Sequence, residues 1–549
     1  MEALGIAARD FLGRCQALLN EENHHPVDIE SVRTIERDLQ LAVIAIKQYY
    51  NASPFAPINR LHPELLCMIF KHVRRPNKAV MSARLHPSRF DSYKPLLAPM
   101  LACRKWHTLI TQDATLWNQI DLTKHTPTSA LVQRLLERSK GASLDVRFAH
   151  SSLRFVEDKD KTTPFLEVHA HRLGKLEVKF RDVNCTPEML SLLDISMPRL
   201  TCLVISITEQ LLKSVHEVSL KRFPALKKLV LSGILLRPIE HVPSLTHLHL
   251  IGLVHDTILP LLDVLGAAPS LEILDLRMIQ LGTRGVEAPI LNLPRLRVLR
   301  LTCRTWSTVV RFLLTHIAAP NLMVTDFSEV SSWRDSGNTA VDAYIPQTFL
   351  AQRSRMTRLG VSWHYGKGFT ATFQSADSND RLTIEENCPV LRSVLGTSPM
   401  LDCLRNIEHV CLDPQPVDMD EHEVLWILQR LPIAKFLVLN NVWHGLRLLD
   451  SKVPIVVPGL VSLSLDATQS RDVELIRIIA YTVEERAKVS GPVPVLRLGA
   501  LYEFEDLMEE LELYANEIKK HVGTLEIVQY SFLKDTLWPA WFNQSNSYH

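Results

Sequence analysis

From about residue 172 the apolar positions fall into short blocks of the form Pro-x-Leu-x-x-Leu-x-Leu. PRLTCLVI carries Leu200 as its leading leucine, PALKKLVL carries Leu226 and PSLTHLHL carries Leu245. PSLEILDL follows with Leu271, PRLRVLRL with Leu296 and PNLMVTDF with Leu322. The leading leucines stand 26, 19, 26, 25 and 26 residues apart. Inside each block the apolar residues alternate, which predicts a short strand with one buried face. The returns between blocks read as helical. DTILPLLDVLGAAP, residues 256–269, runs from an Asp cap through Ile258, Leu261, Leu262 and Leu265 to a Gly-containing stop. One such unit cannot bury its own leucines, whereas stacked neighbours share a continuous core. TRLGVSW, RNIEHVCLD, IAKFLVLN, PGLVSLSLD, PVLRLGAL and VGTLEIVQY continue the strand pattern at looser spacing. RDVELIRIIAYTVEERAKVSG and EFEDLMEELELYANEIKK predict long outer helices, and LWPAWF an aromatic cap on the stack.

Ahead of the blocks the pattern is helical. In residues 31–50, Val32, Ile35, Leu39, Ala42, Ile46 and Tyr49 alternate spacings of three and four, an apolar seam along one helix. Residues 2–20 could form its partner, with Leu4, Ala8, Phe11, Cys15 and Leu18 on one side and Asn23–Pro26 as the turn. A packed hairpin and a short dimerising coiled coil both fit this seam. NASPFAP then breaks the helix. INRLHPELLCMIFKHV, residues 58–73, predicts a further amphipathic helix with Pro63 in its first turn.

A period of about 26 with an L-x-x-L-x-L core is the signature of leucine-rich repeats. The Asn or Cys usual three residues after each block's last leucine is replaced by Thr208, Ile234, Leu253, Ile279 and Arg304, so an irregular array is expected. The residues between the inward leucines would line one face. Lys228, His247, His249, Asp275, Arg277, Arg300 and Asp326 are the candidates for holding a target there, and they carry both signs of charge.

The segment ahead of the array, L-x-P-E-L-L-x-x-I-F, then C-R-x-W-x-x-L, then L-W-x-x-I-x-L, resembles an F-box. It is most similar to the F-box proteins of mushroom-forming fungi, and LVQRLLERSKGASLDVRF resembles the segment that follows the box in that group. His62 stands where the family usually has Pro, and residues 74–95 form an insertion with the composition of a surface loop. The resemblance implies a three-helix module docking on the Skp-type adaptor of a Skp–cullin–F-box ubiquitin ligase. Leu61, Pro63, Leu65, Leu66, Ile69, Phe70, Leu97, Cys103, Trp106 and Trp117 would make up the contact set. The tryptophans are expected to be mainly internal and the first-helix leucines more outward.

The expected architecture is therefore α/β. A helical hairpin and linker occupy residues 1–57, the F-box 58–122, a connecting segment 123–171 and an irregular solenoid of parallel strands and outer helices 172–549. The expected role is substrate recognition in the ligase, without catalysis by this chain; a repeat-based interaction scaffold outside ubiquitination is the alternative.

Composition narrows this picture little. Apolar residues are 46% and charged residues 22%, as in ordinary folded proteins. A formal net charge of +1 without a basic stripe makes nucleic acid an unexpected partner. The N-terminal stretch MEALGIAARDFLGR lacks a basic region before an apolar run, and no apolar run reaches the length of a bilayer span. Nine scattered cysteines without a CxxC pair fit reduced thiols, so a cytoplasmic or nuclear location is expected, with no membrane partner. Neither phosphate-loop, nucleophile-elbow nor zinc-protease motifs occur, so no catalytic residue, cofactor or metal is expected. Glu167, His169 and His171 are read as a solvated strand edge rather than metal ligands, and the acids of DMDEHE as the first turn of a helix leading into VLWILQRL.

Overall fold

The computed structural model describes residues 29–52, 57–74, 94–123, 125–150, 163–180, 192–207, 215–218, 220–238, 241–283, 287–303, 308–329, 356–364, 368–378, 380–386, 398–413, 421–439, 459–466, 474–500 and 505–529, with Gly13, Phe349, Leu395 and Val457 singly. The chain divides into two compact units, with the break between Trp117 and Asn118. The partner helix expected over residues 2–20, most of the insertion and the aromatic tail lie outside the described residues.

The first unit is helical. α1 (Ile29–Ala52) follows the predicted seam, with Leu39, Ala42 and Ile46 exposed along it. α2 (Pro63–Arg74) opens on a proline that has no N–H to leave unpaired. The His62 carbonyl accepts from Leu65 and Leu66 at 3.0 and 3.2 Å to close its first turn. α3 (Lys94–Ala102) is separated from α4 (Arg104–Gln112) by Cys103, whose backbone is extended.

The second unit is a mixed α/β structure built on a large, mostly parallel sheet. β1 (Gln119–Asp121), α5 (Ala130–Ser139) and β2 (Leu144–His150) start it as a parallel β-α-β unit. Ser129 caps α5, its Oγ accepting from Val132 N at 3.4 Å. Residues read from sequence as the end of the box and a connecting segment thus already belong to the sheet. β3 (Leu173–Phe180) and β4 (Cys202–Ile207) follow in register. β5 (Val215–Val218) and β7 (Leu235–Pro238) pair separately, while β6 (Lys228–Ser232) and β8 (His247–Ile251) extend the main sheet. Next come β9 (Val254–His255), α6 (Leu259–Gly266) and β10 (Ile273–Leu281), then β11 (Leu291–Asn292) and β12 (Val298–Cys303). α7 (Thr308–His316), β13 (Ile317–Ala318) and β14 (Val324–Glu329) complete this half.

The proline blocks have a local cause. In each, the N–H of the leading leucine bonds to the carbonyl three residues back, across Pro198, Pro224, Pro243, Pro269, Pro294 or Pro320. This is a β-turn with proline at its second position, where the ring presets the required φ. The turn drops the first five leading leucines into the core at 0% exposure; strand leucines such as Leu229, Leu248, Leu274 and Leu299 follow three residues on, and Leu231, Leu250, Leu276 and Leu301 two residues after those. Buried aliphatics at this density, each worth roughly 1.5–3 kcal/mol, hold neighbouring repeats together.

The missing Asn or Cys positions have a specific replacement. Gly233, Gly252 and Met278 occupy equivalent places after β6, β8 and within β10, all with positive φ (72°, 65° and 52°). This left-handed step turns Ile234, Leu253 and Ile279 into the core. An aliphatic contact thus replaces the polar ladder. At Gly233 a Cβ would also stand 2.9 Å from the Ile207 carbonyl oxygen, so glycine is required there twice over.

The second half departs from the sequence expectation in one place. β15 (Arg358–His364), β16 (Gly368–Gln374) and β17 (Arg381–Glu386) form an antiparallel meander within the otherwise parallel sheet. β17 pairs with β14 and β15 with β18 (His409–Asp413), giving the spatial order β14-β17-β16-β15-β18. Six of the seven β16 residues have a fully buried pattern, as expected for a strand covered on both faces. After α8 (Ser398–Leu404) and α9 (Glu421–Leu428), β19 (Phe436–Leu439) and β20 (Ser462–Asp466) resume the parallel stack. α10 (Glu474–Ser490), β21 (Val493–Ala500), α11 (Glu505–Lys520) and β22 (Val522–Gln529) end it.

Candidate functional site

Two surfaces gather the residues singled out above. The first is α2. Leu66 and Phe70, one turn apart, are buried; Leu65, Met68, Ile69 and Val73 are exposed. The helix therefore has an inner apolar face that makes the unit's core and an outer apolar face that the described residues leave open. Leu65 is 48% exposed, and on α3 Leu97 and Leu101 are both open, Leu101 at 82%.

The inner face is fixed by several contacts. The Phe70 and Trp106 rings meet edge-on with centroids 5.5 Å apart. Trp117 is buried and its Nε1–H donates to the Ile110 carbonyl at 2.7 Å. Cys103 caps α4 through its buried Sγ, which accepts from Trp106 N at 3.5 Å. Asp113 accepts from Thr115 N and Oγ1 at 3.0 and 2.6 Å and lies 3.4 Å from Lys71 Nζ. Burial works to raise the Asp113 pKa, but the Thr115 hydrogen bonds and the nearby Lys71 outweigh it and hold the carboxyl below its ordinary value.

The ten residues indicated by the resemblance thus divide. Pro63, Leu65, Ile69 and Leu97 are exposed, Leu61 and Trp106 are half-buried, and Leu66, Phe70, Cys103 and Trp117 are buried. The last four support the surface from below rather than forming it. The first-helix leucines are split, because positions 65 and 66 point about 100° apart on a helix. Met68 and Leu101 were missed by sequence reasoning, although their spacing from Leu65 and Leu97 was there to be read, and Val73, at helical spacing from Ile69, was left out of the contact set.

The second surface is the sheet face opposite the leucines. All seven expected residues lie on it. In register, Lys228 sits beside His247, and His249, Asp275, Arg300 and Asp326 follow one another on successive main-sheet strands. Asp275 is 1% exposed and takes a bidentate pair from Arg277, Nε and Nη2 both at 2.9 Å. His249 Nδ1 lies 3.1 Å from the same carboxylate, and His249 Nε2 is cut off from solvent without a hydrogen-bond partner among the described residues. Burial alone would raise the Asp275 pKa; the hydrogen bonds from His249 and Arg277 more than offset it and lower it to about 2. His247 is held below its ordinary pKa by burial first, then by Lys228 and His249. Arg300 and Arg381 share Asp326 at 3.1–3.2 Å.

A further group on this face was not singled out from sequence. Arg147, Lys175 and Lys179 converge on Glu177 at 3.2, 3.7 and 3.6 Å. The alternating K-L-E-V-K of residues 175–179 carried the signal, but it precedes the first proline block.

His169 and His171 are not on a strand edge. Residues 163–169 are helical and Ala170–Arg172 form a 3-10 turn, with His169 packed against Phe165 at 4.8 Å between ring centroids. The strand of this segment, LGKLEVKF, begins only at Leu173, after both histidines. Among the described residues no cluster of His, Cys, Asp or Glu could hold a metal ion, and no helix is long and apolar enough to cross a membrane. The chain matches no protein-family model and no curated protein.

Proposed function

We propose that the chain is the substrate-recognition subunit of a Skp–cullin–F-box ubiquitin ligase. In this reading the helices from residue 58 are an F-box that docks on a Skp-type adaptor and through it on a cullin. The parallel stack is a leucine-rich-repeat array that holds a target protein, and catalysis comes from the partner subunits by proximity. The observation that carries the reading is the open aliphatic face of α2 and α3, Leu65, Met68, Ile69, Leu97 and Leu101, on a small unit that has a second, separate face for its own core. Exposed large aliphatic side chains repeated at helical spacing, as at Leu65 and Ile69 and at Leu97 and Leu101, mark interaction sites.

Co-purification of the full chain with a Skp-type adaptor tests it. Leu65→Lys with Ile69→Glu is expected to abolish the complex while leaving the sheet unit folded. Leu66 is unsuitable for this purpose, since its change would damage the core. Survival of the complex in the double variant, or no complex with the unaltered chain, rejects the ligase role and favours a scaffold outside ubiquitination.

A further inference from the structure

The charges on the sheet face carry both signs in the sequence and are separated by depth in the structure. Glu177 is 2% exposed while Lys175, one of its partners, is 33% exposed; Asp275 is 1% exposed while Arg277 above it is 41% exposed. Each carboxylate is shared by more than one base. On β3 to β12 the positions opposite the leucines hold Lys175, Lys179, Lys228, Arg277 and Arg300 against Glu177 and Asp275 alone. Asp326 on the next strand adds one acid and is itself shared by Arg300 and Arg381. Glu177 and Asp275 are therefore sunk, Asp326 is engaged by two arginines, and the bases outnumber the acids that a partner meets between β6 and β12. Lys228 makes no ion pair among the described residues, and its registered neighbour His247 adds a second donor.

We propose that this face, between β6 and β12, is a docking strip for an anionic peptide segment in extended conformation. The inference rests on the reading of the repeats as the target-binding part of the molecule. The span fits such a ligand. Lys228 and Arg300 are three strand spacings and one two-residue step apart, roughly 14–16 Å, which four to five extended residues cover. Two acidic side chains that far apart would meet Lys228 at one end and the Arg277–Arg300 pair at the other. Between Lys228 and Arg300 the register places His247, His249, Ile273 and the engaged Asp275, flanked by Val230, Ser232 and Ile251. Small and aliphatic positions suit a peptide backbone, whereas a single-stranded nucleic acid strip would interleave aromatic platforms for its bases.

The test is fluorescence anisotropy on the full chain with labelled nine-residue peptides. One carries glutamates at positions 3 and 7 in an Ala/Gly background, a second carries phosphoserines there, and a third carries lysines. A single-stranded oligonucleotide of nine nucleotides is the fourth probe. Both or either of the anionic peptides should bind, the lysine peptide should not, and binding should weaken as salt rises. Lys228→Glu should weaken it about tenfold, the size of removing one rim attraction and adding one repulsion. Because Lys228 makes no ion pair among the described residues, the thermal midpoint of that variant should be unchanged. Lys519→Glu, on the exposed side of α11, is the control and should not alter binding. Tighter binding of the phosphoserine peptide identifies a phosphorylated target, and equal binding a carboxylate-rich one. No binding of either anionic peptide, binding indifferent to Lys228→Glu, or tenfold preference for the oligonucleotide overturns the proposal. Adaptor binding by the same preparations separates the two readings. Loss of peptide binding with the adaptor complex intact sinks the strip alone, whereas an absent adaptor complex with peptide binding intact sinks only the ligase role.

Discussion

Asp275→Asn removes one charge and keeps the shape of the side chain, so it isolates what ionisation of this buried carboxylate is worth. The folded pKa of about 2 lies below the ordinary 3.8. That difference corresponds to about 2 kcal/mol of stability at neutral pH. The sign follows from proton binding. With the folded pKa depressed, the unfolded chain binds more protons between the two values, so the contribution is complete above about pH 4–5 and is lost as pH falls toward 2. Asn mimics the protonated acid, so the variant should be destabilised by about 2 kcal/mol at pH 6 and by much less at pH 2.5. Urea unfolding followed by circular dichroism at both pH values, with midpoints converted through the measured slope, gives the comparison. An equal loss at the two pH values would mean the effect is steric. No loss at pH 6 would mean that desolvation of the carboxylate cancels its bonds to Arg277 and His249, which is the known risk of buried ion pairs.

Two further outcomes follow from the packing. Gly233→Ala places a side chain at φ 72° and its Cβ 2.9 Å from the Ile207 oxygen, and should cost roughly 1–3 kcal/mol in thermal or urea unfolding; a neutral result would show that the left-handed step after β6 relaxes freely. Trp117→Phe keeps an aromatic ring but removes the donor to the buried Ile110 carbonyl together with part of the indole volume, and should destabilise the helical unit by at least about 1–2 kcal/mol; unchanged protection of the α4 amides in hydrogen exchange would refute that anchoring role.

The strand positions were legible in the sequence because their cause is local. A Pro-x-Leu turn followed by alternating leucines specifies a turn, a strand and an inward face within eight residues, and β4, β6, β8, β10, β12 and β14 fall where that pattern predicts. α1, α2, α6, α10 and α11 were likewise marked by their own periodicity. The meander of β15–β17 was not, because antiparallel pairing of GFTATFQ depends on partners supplied by two other segments and its burial on both faces erases any alternation. The helical turn at His169–Arg172 failed for a related reason, as a short segment takes its conformation from what it packs against.

For the candidate surfaces the division is the same. Sequence alone determined that aliphatic residues crowd α2 and that bases and acids alternate with the leucines. Only the tertiary structure decided that Leu66 faces inward while Leu65 faces outward, and that Glu177 and Asp275 lie beneath the bases that neutralise them. Residue type and spacing are properties of the chain, whereas exposure is set by the neighbours that remove water, and those neighbours come from other repeats.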